Sequence, residues 1–328
     1  MMNEIVTKNK YRVPASWEPQ DAILLVWPNE REIAASEDII ELYEALATLL
    51  IDYADVIVVA PGNQLDAIKE RLVLMDAPVE YVYFYDTQSA SINVRDYGPF
   101  IVESENGFVL LFKQNEFAEA LYSKQAFPCA ALESQLVELS WNAIESDGGE
   151  NLLINLRPLC EQNPGLSVDD IKEYVQNKMY NNNIIWIESQ LMDTNIVRLC
   201  PGNKLVYLDC DEQNSVYYQP IQNLKNNVIQ QIETAAKNIE FIPLPWGGVI
   251  TYDDNVEYVA NYSQFVVINE ALLVPLFDLP SDEDAMEVIS ELFPGFDILG
   301  FPSSSLALLN SSLLKINQPI PEGVLEPL

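Results

Sequence analysis

The stretch AILLVWPNEREIAASEDIIELYEALATLLIDYADVIVVA, residues 22–60, sets the fold class. It opens on an apolar run at 22–27 and closes on another at 56–60, each short and rich in Val, Ile and Leu, as buried strands are. Between them Ile39, Leu42, Leu46 and Leu49 fall on one helical face, and Ser36 stands where a helix cap belongs. Strand, helix and strand in this succession are the unit of an α/β fold.

The same alternation runs outward along the chain. Further short apolar runs occur at 81–85, 108–112, 152–156, 184–187, 205–208, 265–268, 272–276, 296–300 and 313–316, all expected strands. Ser167 with Asp170 reads as a capping box ahead of Ile171, Tyr174 and Val175. Ser281 with Asp284 repeats that signature ahead of Met286, Ile289 and Leu292. Periodicity alone suggests a doubly wound sheet. No Gly/Ser-rich linker or charge block divides the chain, so one domain over residues 1–328 is expected.

The 50 acidic and 17 basic residues give a formal charge of −33. Such a surface repels phosphate backbones and anionic membranes and attracts cations, so neither nucleic acid nor membrane is an expected partner. Residues 1–10 are polar without a signal-like apolar core, and no apolar run is long enough to span a bilayer. Cys129, Cys160, Cys200 and Cys210 show no framework spacing and read as reduced, buried thiols of a cytoplasmic protein.

Histidine is absent from the chain. That removes the usual acid/base group at neutral pH and the commonest metal ligand. A Ser-His-Asp triad is therefore impossible. No GxGxxG, Walker-type loop or calcium-loop spacing occurs, so neither cofactor nor metal is expected.

Five stretches, in order over nearly the whole length, then carry a resemblance. Residues 11–20, YRVPASWEPQ, precede a strand ending Val26-Trp27-Pro28. Arg95-Asp96-Tyr97-Gly98-Pro99 follows, then Asp147-Gly148-Gly149 with Asn163-Pro164-Gly165 after it. The last two are 262–294, ending Glu291-Leu292-Phe293-Pro294, and the closing segment around Lys315-Ile316-Asn317-Gln318. Together they resemble the agmatine deiminase and bacterial peptidyl-arginine deiminase family. The resemblance implies a pentein fold, a five-bladed α/β propeller with pseudo-fivefold symmetry, and C–N hydrolysis of a guanidinium.

That chemistry needs a thiolate nucleophile, a histidine to move protons, and carboxylates to grip the guanidinium. By the resemblance, Asp96 keeps the binding carboxylate of R-D-x-G-P, beside Arg95. Asn93 stands where the family has Trp, and Asp147 where it has the Glu of E-G-G. The family's H-x-D falls in 191–198, with Met192 at the histidine and Thr194 at the aspartate; a shifted register brings Asp193 to the latter. In the closing segment Leu314 replaces a histidine and Lys315 the nucleophilic cysteine. Whatever the register, no cysteine follows Cys210 and no histidine exists.

Plain structural roles compete at each position. Asp96 and Asp147 suit turns, Met192 and Leu314 suit core packing, and Lys315 suits an exposed surface. The expected function is a pseudoenzyme that binds, regulates or assembles. Its partner would be another copy of itself, a different protein or a small cationic ligand. The alternative is altered chemistry on a cationic amine, with Lys315 as nucleophile or base. Lys315 is further expected to plug the old site by pairing with Asp96 or Asp147.

Overall fold

The computed structural model describes residues 10–89, 91–180, 183–188, 195–235, 238–251 and 257–325. Residues 22–60 fold as their pattern predicts. Strand β1 (Gln20–Val26) leads through helices α1 (Glu30–Ala35) and α2 (Ile39–Ile51) to β2 (Asp55–Ala60), which pairs parallel to β1. One face of these strands buries Ile23, Leu25, Val56 and Val58 under α2. The other buries Ala22, Leu24, Ile57 and Val59 against a separate apolar cluster that includes Ile101 and Leu110. Burial on both faces is why the runs read as unbroken apolar segments rather than alternating ones.

The caps differ from expectation. Asn29 forms the capping box of α1 with Glu32, and Ser36 closes α1 instead of opening α2, whose N-cap is Asp38. The inward face of α2 is Ile39, Tyr43, Leu46 and Leu50, while Leu42 and Leu49 are only half-buried.

Helix α3 (Gly62–Leu74) and strand β3 (Val82–Asp86) complete this first unit, with β3 parallel to β2. A short helix, α4 (Val94–Tyr97), then leads into β4 (Phe100–Ser104), β5 (Gly107–Phe112), α5 (Glu116–Ser123) and β6 (Ala131–Ser134). Here β4 and β5 are antiparallel, and the crossover helix makes β6 parallel to β5. The same plan recurs in β7 (Ile144–Ser146), β8 (Asn151–Asn155), α6 (Leu156–Gln162), α7 (Val168–Lys178) and β9 (Asn183–Ile187). It recurs in β10 (Val197–Cys200), β11 (Lys204–Leu208), α8 (Tyr218–Thr234) and β12 (Glu240–Leu244).

After a small hairpin of β13 (Val249–Thr251) and β14 (Glu257–Val259) comes the last repeat. It comprises β15 (Val266–Ile268), β16 (Ala271–Leu276), α9 (Ser281–Leu292) and β17 (Asp297–Pro302). The chain closes through α10 (Ser304–Leu308), α11 (Leu313–Ile316) and β18 (Gln318–Pro321). Strand β18 pairs antiparallel with β1, so the first sheet has the same plan and is completed from the other end of the chain.

Among the described residues the outcome is a mixed α/β fold of five sheets that share one connectivity plus the two-stranded β13–β14 hairpin, rather than the single doubly wound sheet that periodicity suggests. The capping box at Ser167 and Asp170 forms. At α9 it does not: Asp282 takes the backbone N–H groups of Phe277 and Leu279 and the Tyr262 hydroxyl instead. The run at 313–316, expected as a strand, is α11, started by the Ser312 side chain accepting the Lys315 N–H. Four apolar residues cannot by themselves distinguish a strand from a buried helical turn. Among the described residues no helix is long and apolar enough to cross a membrane.

Candidate functional site

The Arg95-Asp96-Tyr97-Gly98-Pro99 stretch is a joint between modules, and its backbone carbonyls account for much of its composition. The Tyr97 carbonyl accepts from Asn115 Nδ2 at 2.7 Å, and the Pro99 carbonyl accepts from Trp141 Nε1 at 3.0 Å and from Gln318 Nε2. Arg95, buried, donates from Nε to the carbonyl of Asn317 at 2.7 Å. A Cβ on Gly98 would land on Gln318 Oε1, so only glycine lets the closing strand approach. Asp96 lies half-buried on α4, its carbonyl accepting from Gln162 Nε2. Asn93 precedes α4 and accepts from the Ser311 hydroxyl, tying α4 to the segment before α11.

Asp147 is placed elsewhere. It sits in the tight turn between β7 and β8, and its carboxylate accepts the Gly149 N–H at 2.8 Å, the Asn151 N–H at 3.0 Å and Asn151 Nδ2 at 2.5 Å. The Gly148 carbonyl is held by Arg12 Nε at 2.8 Å. Both Asp147 oxygens accept hydrogen bonds within the hairpin, the turn role that competes with guanidinium binding at this position. Met192, Asp193 and Thr194 lie outside the described residues.

The closing helix presents two faces. Leu314 is buried and faces a small polar centre, a void of about 20 Å³ bordered by Arg95, Glu145, Asn155 and Arg198. That volume holds about one water. There Arg198 donates from Nε to Glu145 at 2.6 Å and from Nη1 to the carbonyls of Ser263 and Phe265 at 2.9 and 3.0 Å. Its guanidinium also stacks over Phe265 at 4.8 Å. Burial, and after it the neighbouring Arg198, push the Arg95 guanidinium down to about 9, against the pull of Glu145. Glu145 is therefore the carboxylate set against two buried cations.

Lys315, one residue on, is turned about 100° away. It borders a larger cavity of about 410 Å³. That cavity is walled by Ile196, Leu208, Tyr217, Ile221, Tyr258 and Val259, with Ser311, Ser312 and Glu257 among its polar groups. Among the described residues no carboxylate lies within 4.0 Å of the Lys315 ammonium. The expected plug onto Asp96 or Asp147 is therefore corrected: neither carboxylate lies within 4.0 Å of the Lys315 ammonium, which borders the cavity instead.

The thiols are poorly placed for nucleophilic work. Burial pushes Cys200 up to about 12 and raises Cys160 and Cys210, so each resists forming the thiolate. Cys129 is exposed, and all four are free thiols. Among the described residues no cysteine borders the Lys315 cavity, and none joins a cluster of ligands suited to a metal. The pair of Glu145, half-buried, and Arg198, buried, was missed in the sequence. Its signal was faint: a charge inside each of two short strands, Ile144–Ser146 and the apolar Val197–Cys200.

Comparison with known proteins agrees with this architecture. The family model of Porphyromonas-type peptidyl-arginine deiminase matches residues 12–321. The agmatine deiminase of Pseudomonas syringae pv. tomato is 22% identical over 98% of this chain and 98% of its own. The agmatine deiminase of C. jejuni superposes with a TM-score of 0.83 at 20% identity, covering 99% of this chain and 100% of that one. That of Enterococcus faecalis superposes with a TM-score of 0.79 at 16% identity, covering 98% and 99%.

Proposed function

We propose, from the premise that this chain belongs to the Porphyromonas-type peptidyl-arginine deiminase family, that it is a member which no longer deiminates and keeps the family's fold for binding. The observation that carries this reading is chemical. The chain has no histidine and no cysteine after Cys210, and Lys315 borders the cavity at the position matched to the nucleophile. Burial raises the Cys160, Cys200 and Cys210 thiols and so keeps them protonated. With no cysteine bordering the cavity among the described residues, attack on a carbon stabilised by three nitrogens has no thiolate to start from; without a shuttle, ammonia leaves unassisted.

The retained R-D-x-G-P residues do not argue for turnover. Arg95, Gly98 and Pro99 have sufficient work in joining modules, so their persistence fits selection for the fold. In this reading the five modules close around a pseudo-fivefold axis as one domain. Support comes from β18 completing the first sheet and from Glu145 and Arg198 meeting across modules. Four free thiols suit a reducing, cytoplasmic setting.

The test is release of ammonia and of a ureido product from agmatine, arginine and arginyl peptides. The reading expects neither above a buffer blank. Turnover that is abolished by changing one residue of this chain would sink it. A second reading takes Lys315 as an amine nucleophile toward carbonyl compounds, favoured by its freedom from carboxylates among the described residues. Borohydride reduction in the presence of pyruvate, followed by peptide mass spectrometry, supports it only if Lys315 gains the adduct.

A further inference from the structure

We infer that the cavity beside Lys315 binds a small monocarboxylate with an apolar or aromatic body, the opposite charge from a guanidinium substrate. The inference rests on the reading of this chain as a non-deiminating binder. Its cavity of about 410 Å³ falls within the range of about 300–1,000 Å³ typical of small-molecule sites. The cation on its wall, Lys315, has no carboxylate within 4.0 Å among the described residues. A charge held in a partly dry recess without a partner is completed by a ligand of opposite sign.

The neighbouring hydroxyls favour the same charge. Ser312, buried, accepts the Lys315 backbone N–H at 3.3 Å, and among the described residues its own proton goes to no acceptor. That leaves an O–H beside an ammonium, both donors and both facing the cavity. The rest of the wall is apolar or aromatic: Ile196, Leu208, Ile221 and Val259, with Tyr217 and Tyr258. A ligand with one anionic end and an apolar body matches it.

A guanidinium does not. Asp147, expected to grip one, accepts hydrogen bonds within its own turn and is not among the described residues around this cavity, and the cavity's described carboxylate, Glu257, is exposed. A cation entering beside Lys315 would meet like charge at short range. The formal charge of −33 also selects among anions. Its field opposes each negative charge brought in from solution, so a single carboxylate is admitted more readily than a polyphosphate.

The experiment uses 4-phenylbutanoate, its neutral amide and agmatine as probes, followed by calorimetry and ligand-observed NMR on the full chain. The carboxylate should bind, and the amide should bind about tenfold or more weakly, the worth of one charge-assisted hydrogen bond. Lys315→Met should weaken the carboxylate by a similar factor, while Lys315→Arg, which keeps the charge, should largely retain it. Thermal melting of both variants checks that they fold. The inference fails if the carboxylate does not bind, if the amide binds as well, if Lys315→Met changes nothing, or if agmatine binds more tightly. Ammonia is measured in the agmatine samples. Its release would sink the non-deiminating reading itself, whereas carboxylate failure without ammonia sinks this inference alone.

Discussion

Replacing Gly98 with Ala should destabilise the protein although it adds one methyl group. The backbone at Gly98 has φ −68°, which any residue adopts, so the cost is steric rather than conformational. The added Cβ would overlap Gln318 Oε1 and come within 2.6 Å of the Val94 carbonyl and 2.8 Å of Gln318 Cδ. The Gln318 amide can swing away, but the Val94 carbonyl is backbone and holds the Gly98 N–H. Overpacking of this kind costs about 1–3 kcal/mol. Displacing Gln318 Nε2 from the Pro99 carbonyl adds about 1 kcal/mol. A loss of about 2–4 kcal/mol follows, and for a chain of this length that lowers the melting temperature by about 3–6 °C. Gly165→Ala is the control, because a Cβ there meets nothing within 4 Å. It should be neutral or slightly stabilising through the unfolded state. Differential scanning calorimetry of the two variants reads both. If Gly98→Ala melts within about 1 °C of the parent, the account of this joint is wrong.

Other consequences are equally measurable. Glu145→Ala leaves Arg198 and Arg95 buried without their carboxylate and should cost about 3–5 kcal/mol in urea unfolding; a loss under about 1 kcal/mol would show that solvent already screens the pair. The Cys200 thiol should lower stability on the alkaline side. Cys200 is raised from 9.0 to about 12 in the folded state, so the unfolded chain sheds that proton first. The native state then loses about 1.4 kcal/mol per pH unit across that interval for this group. Arg95, lowered to about 9 by burial, contributes the opposite slope, so the Cys200 share is read by difference: Cys200→Ala should lose less stability than the parent between pH 9 and pH 10.5, and equal slopes would contradict it. Lys315→Cys alone should not restore deimination, since a thiolate there still lacks a proton shuttle, and ammonia release by that single variant would mean the site has been misread.

The α/β class was legible because strands buried on both faces leave unbroken apolar runs, as β2 and β16 do. Strand β18 was not, because Gln318-Pro319-Ile320-Pro321 carries two prolines and reads as a breaker. It survives as a strand because it lies at the edge of its sheet, where a missing N–H is tolerated. Strands β7 and β10 escaped notice because each carries a charge, and only the fold reveals that the two charges neutralise one another. At the site, the absence of histidine and of any cysteine after Cys210 was legible from the sequence alone. The role of Asp147 was not, because Asp-Gly-Gly serves equally as a ligand motif and as a hairpin turn, and local sequence does not say which groups the carboxylate will meet. The plug failed for a geometric reason. Adjacent residues on a helical turn face different ways, so Leu314 took the polar centre and Lys315 the cavity.

The central claim is that this family member binds without deiminating, and one measurement reaches it directly. Agmatine labelled with ¹³C at the guanidino carbon is incubated with a stoichiometric amount of the protein and followed by ¹³C NMR for several days. The account predicts that the guanidinium resonance persists and that no ureido carbon forms beyond the protein-free control. A ureido resonance that grows with protein concentration, and is lost when Lys315 or Asp96 is replaced, would contradict it.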